Sequence, residues 1–101
     1  MARYGIKKNY DNMGPEQVFE AGKATFTDLG LDIYKLRPFA YLVQGRTTGK
    51  EEVINVNLIA SPFAKEFNLT LKSETAAQES VDALAEKVLS ALENKLASNQ
   101  K

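Results

Sequence analysis

Apolar and polar positions alternate along residues 53–60, VINVNLIA. Ile54, Val56, Leu58 and Ala60 fall on one side, and Val53, Asn55, Asn57 and Ile59 on the other. Residues 66–72, EFNLTLK, alternate more strictly and put Phe67, Leu69 and Leu71 inward. Both patterns predict half-buried strands. Residues 37–46, RPFAYLVQGR, differ, because Phe39 through Val43 are apolar without a break. A strand here, followed by a turn at Thr47-Thr48, sets Tyr41 opposite Ile54 and Phe39 opposite Val56 on the side facing the helices. Leu42 then meets Val53, and Ala40 meets Asn55, on the other side. A second turn through Ser61-Pro62-Phe63-Ala64 sets Leu58 opposite Phe67, Val56 opposite Leu69 and Asn57 opposite Asn68. Residues 31–36, LDIYKL, extend the first strand backwards across a bulge at Pro38, since proline cannot donate to a sheet ladder. Tyr4, Ile6 and Tyr10 alternate within residues 2–10 and predict a short additional strand.

Two stretches have the helical period instead. In residues 14–30 Val18, Ala21, Gly22, Thr25, Phe26 and Leu29 form one face, with Gly14 as the cap, Pro15 at the first helical position and Gly30 as the left-handed stop. Gly22 in mid-helix predicts close approach to a neighbour. A longer helix follows a capping box at Thr75-Ala76-Ala77-Gln78, and Val81, Leu84, Ala85, Val88, Leu89, Leu92 and Leu96 keep its period. The expected fold class is α+β: a single two-layer domain over residues 1–101, in the order (β)-α-β-β-β-α. An antiparallel meander of three to four strands carries two helices on one face, and residues 97–101 fray.

Composition removes most chemistry. There is no cysteine and no histidine among the 101 residues, so thiolate nucleophiles, zinc-thiolate sites and histidine general bases are all absent. Asp28, Asp32, Glu51 and Glu52 read as charges at turns and strand ends rather than as a catalytic set, and no cofactor or metal is expected. GRTTGK at 45–50 has the wrong spacing and context for a phosphate-binding loop and reads as a hairpin turn. Thirteen basic and thirteen acidic side chains cancel, so the net charge predicts no affinity for nucleic acid or for a membrane. MARYGIKKNY lacks the apolar core of a signal peptide and no run approaches membrane-spanning length, which predicts a cytoplasmic, soluble chain.

Three functional classes are left. A non-catalytic protein-interaction or self-assembly module, pairing with itself or another protein, would use the outer sheet face: Ala40, Leu42, Val53, Asn55, Asn57, Ile59 and Asn68. A small apolar-ligand binder would have a pocket between sheet and C-terminal helix lined by Phe26, Tyr41, Phe63 and Phe67. A nucleic-acid-binding module would use Arg3, Lys7, Lys8 and Lys35, with Arg37, Arg46 and Lys50 as candidate anion contacts. For the last class, the order helix, three strands, helix resembles that of double-stranded RNA-binding domains. The resemblance stops at element order, because that family's last helix opens with lysines and this one opens SETAAQES.

Overall fold

The computed structural model describes residues 1–11, 13–47 and 52–99. Its elements are β1 (Ala2–Asn9), α1 (Pro15–Asp28), β2 (Asp32–Arg37), β3 (Leu42–Arg46), β4 (Asn55–Ser61), β5 (Glu66–Ser73) and α2 (Gln78–Asn99). The strands form one antiparallel sheet in the order β1-β5-β4-β3-β2. The fold is thus α+β, with α1 packed over β2 to β4, α2 over β1 and β5, and the helices touching each other. Alternation decides which strand residues meet the helices. Val43, Val56, Leu58, Leu69 and Leu71 are fully buried against Val18 and Phe26 of α1 and Val81, Val88 and Leu92 of α2. Each such side chain contributes about 1.5–3 kcal/mol by leaving water.

The ends of α1 follow the sequence signals. Gln17 Oε1 accepts from the Gly14 N–H at 2.8 Å, and Pro15 opens the helix. At the other end Gly30 has φ 75. The Leu31 N–H donates to Phe26 C=O at 2.9 Å and the Gly30 N–H to Thr27 C=O at 3.1 Å, which closes the helix with paired carbonyls. Gly22 lies against Leu58, whose Cδ2 would collide with any added methyl. Gly45 plays the same part for Phe26, whose ring carbon would stand 2.9 Å from a Cβ there.

Several expectations are corrected. Residues 32–37 form a strand of their own rather than extending the next one, and Pro38 sits in the turn between β2 and β3, not in a bulge. The sheet therefore has five strands. With Phe39, Ala40 and Tyr41 in that turn, β3 starts later and slides: Leu42 pairs with Ile59 and Val43 with Leu58, not with Val53 and its neighbours. Part of the expected turn at Thr47-Thr48 lies outside the described residues. The second hairpin shifts by two positions, pairing Leu58 with Leu69 and Val56 with Leu71. Both slips are even, so every strand residue keeps its face. α2 begins at Gln78 and runs through Asn99. Thr75 is not its cap, because its hydroxyl accepts from the Val53 N–H at 2.9 Å. The buried Ser73 Oγ orders the turn that leads into the helix instead, accepting from the Ala76 N–H at 2.8 Å and donating to Val53 C=O at 2.6 Å.

Candidate functional site

Both helices lie on one side of the sheet, which leaves the other side open. Register assigns that side in rows that cross all five strands. The first is Arg3, Lys72, Asn55, Arg46 and Asp32; the second is Gly5, Thr70, Asn57, Gln44 and Lys35; the third is Lys7, Asn68, Ile59, Leu42 and Arg37. Directly opposed residues share a face, so Arg3, Lys7, Lys35, Arg37, Arg46 and Lys72 all belong to the outer surface. Against these six cations stand two carboxylates, Asp32 and Glu66. The helices have the opposite bias, with seven acidic side chains and three lysines. A chain of zero net charge is therefore polarised across its thickness.

The outer face has internal structure. Gln44 Nε2 donates to Asn57 Oδ1 at 2.6 Å. A shallow cavity of about 250 Å³ lies between Tyr34, Gln44, Asn55, Asn57, Thr70 and Lys72. Tyr34 walls it at the β2 side, with the Arg46 guanidinium 4.7 Å from its ring centre. Asp32 Oδ2 sits 3.9 Å from Arg46 Nε. Both groups are about half exposed, so the pair contributes little to stability. Arg3 and Lys72 face each other directly, a like-charge pair that costs a few tenths of a kcal/mol or more in a sheet.

The expected interaction face is therefore partly assembled. Leu42, Ile59 and Asn68 share the third row, Asn57 the second and Asn55 the first. Ala40 lies in the β2–β3 turn, and Val53 precedes β4, 39% exposed. The apolar island shrinks to Leu42 and Ile59, both half-buried. Of the candidate anion contacts, Arg37 and Arg46 are on this face, and Lys50 lies outside the described residues. Lys8 points to the helix side, 3.4 Å from Glu93. The expected aromatic pocket does not assemble. Phe26 and Phe67 are core residues, Tyr41 is half-buried in a turn, and Phe63 is 98% exposed on another. Lys72 escaped the sequence reading because its row partners are distant in sequence.

Among the described residues no group of three or more acidic side chains has the arrangement of a metal site. Asp28 is taken by Lys95 Nζ at 2.6 Å. Burial, with Glu16 and then Tyr41 adding to it, raises the Tyr10 phenol above its ordinary 10.0. The role of Tyr10 is structural. Its O–H donates to Ser61 C=O at 2.7 Å and its N–H to Lys65 C=O at 2.9 Å, tying the end of β1 to the β4–β5 turn. No helix among the described residues is long and apolar enough to cross a membrane.

Neither a family model nor a curated protein matches the sequence. Among solved structures the chain is similar to TTHA0849 from Thermus thermophilus, at 14% identity and a TM-score of 0.44, over 99% of each chain. A likeness at that level carries no argument about chemistry.

Proposed function

We propose that this protein is a non-catalytic interaction module that receives an acidic protein surface on the outer face of its sheet. The observation that carries the reading is the open first row, where Arg3, Lys72 and Arg46 stand together with one carboxylate at its end. Cations crowded on a bare face work against the fold, and an anionic partner turns that cost into attraction. The sheet edges are poor docking sites by comparison. β1 carries Lys7 and Lys8, and β2 is charged and broken by a register shift between Ile33 and Lys35, both features that discourage strand addition. Single-stranded nucleic acid fits less well, because such surfaces stack bases on exposed rings. Among the described residues Tyr34 is the one aromatic on this face, and Arg46 already covers it.

The test compares a fluorescent polyglutamate peptide with an oligothymidylate of equal charge. Polyglutamate should bind, weaken steeply as salt rises, and lose affinity about tenfold in Arg46→Glu/Lys72→Glu while the melting temperature holds. Stronger binding of the oligothymidylate would transfer the reading to nucleic acid, and binding of neither would remove it. Light scattering at low and high salt adds the self-assembly case. A salt-reversible oligomer would make the acidic partner the helix layer of a second copy.

A further inference from the structure

The two hairpins at one end of the sheet repeat a single plan. The chain turns through Pro38-Phe39-Ala40-Tyr41 between β2 and β3, and through Pro62-Phe63-Ala64-Lys65 between β4 and β5. Each turn joins a closing pair, Arg37 with Leu42 and Ser61 with Glu66. In each the fourth residue is left-handed, with φ 55 at Tyr41 and φ 52 at Lys65. That conformation is unfavourable for any residue with a Cβ, so both turns keep their shape at some expense in stability. They also lie side by side, since the Ala60 N–H donates to Tyr41 C=O at 3.1 Å.

The consequence is two phenylalanine rings thrown clear of the molecule. Phe39 is 100% exposed and Phe63 98%. One stray aromatic on a surface is ordinary. Two at the same position of twin turns, each stiffened by the preceding proline and followed by alanine, form a repeated device. Arg37 leads into the first turn and Lys65 closes the second. Both are exposed and neither has an ion-pair partner among the described residues. Neither turn contains an acid.

We infer that this end of the sheet docks on a bilayer surface with anionic headgroups. Phe39 and Phe63 enter the boundary between headgroups and acyl chains, and Arg37 and Lys65 lie among the phosphates. Apolar insertion combined with local cations is the pair of signals that peripheral membrane binding needs. The shape favours a bilayer over a protein groove. Two separate convex tips would require two pre-formed pockets at matched spacing, whereas a lipid surface yields to both without matching either. This is a surface contact made by turns, and it shares only Arg37 with the outer sheet face, leaving the row of Arg3, Lys72 and Arg46 free.

Vesicle flotation tests it, with phosphatidylcholine alone against phosphatidylcholine containing about one part in three of phosphatidylserine. The protein should float with the anionic vesicles. Phe39→Ser and Phe63→Ser should each reduce binding about tenfold. Arg37→Gln/Lys65→Gln should reduce it about fivefold per charge and only on anionic vesicles. All four positions are exposed, so thermal melting should not move. Because the chain has no tryptophan, Phe39→Trp and Phe63→Trp supply a second readout that does not depend on the serine variants folding. Their emission should shift to the blue on anionic vesicles. Wild type that stays unbound, serine variants that float like wild type, or tryptophan emission that does not move would each overturn the inference. So would a changed oligomeric state in the serine variants without vesicle binding, which would make the tips a protein contact.

Discussion

The inner and outer faces of the sheet are built from the same strands and obey opposite rules. Inward, Val43, Val56, Leu58, Leu69 and Leu71 are apolar and sealed. Outward, their immediate neighbours are Gln44, Asn55, Asn57, Asn68, Thr70 and Lys72, half-buried or exposed. The inner face is specified locally, by a period of two that short windows within β4 and β5 display. The outer face is specified by topology, since its cations come from β1, β2, β3 and β5 and meet only when the strands are in order. Stability is concentrated on the first, and positive charge is assembled on the second.

The sharpest way to break this contrast uses two adjacent residues. Leu69→Asp places a charge in the sealed layer and should lower stability by about 4 kcal/mol, whereas Asn68→Asp should cost less than about 1 kcal/mol. Urea denaturation midpoints decide it, and equal losses would mean the two faces are not distinct. A smaller effect sharpens the inner side. Gly22→Ala gains about 1 kcal/mol of helix propensity but drives a methyl into Leu58, so a net loss of about 1–2 kcal/mol is expected. A net gain in midpoint would show that α1 has room to lift from the sheet.

The smallest effect is at the sheet end. The unfolded Tyr10 phenol ionises near 10.0, while the folded one holds its proton to higher pH. Its contribution is therefore complete below 10.0 and is lost as the pH rises through the raised folded value. Tyr10→Phe should cost about 1 kcal/mol at neutral pH and should flatten the alkaline fall in stability measured by thermal melts. A variant that falls as steeply as wild type would assign that fall to another group.

The alternation of 53–60 and 66–72, the stripe of α1 and the long C-terminal helix were legible because each is a local signal repeated many times over. Register was not. Pro38 admitted two readings, bulge or turn, and the choice moved Phe39 from the core to full exposure. The repeated Pro-Phe-Ala at 38–40 and 62–64 was the available clue, since two identical tripeptides before strands predict the same turn twice. The polarity of the molecule was invisible for another reason. Summing charges over the chain gives zero, and only the pairing of Arg3 with Lys72 and of Asn55 with Arg46 shows where the positive ones collect.

The position of β1 has a consequence in time. It is made before the other four strands, yet its partner in the sheet is β5, and Arg3 finds Gln78, 75 positions away, only when α2 has begun. On the ribosome this strand must wait, unpaired, until almost the whole domain has emerged. The sheet cannot close stepwise from its N-terminal end, and the long-range pairing that completes it is slow to nucleate. Refolding should therefore be slower than the short local hairpins suggest, with the β2–β3–β4–β5 meander in place before β1 arrives.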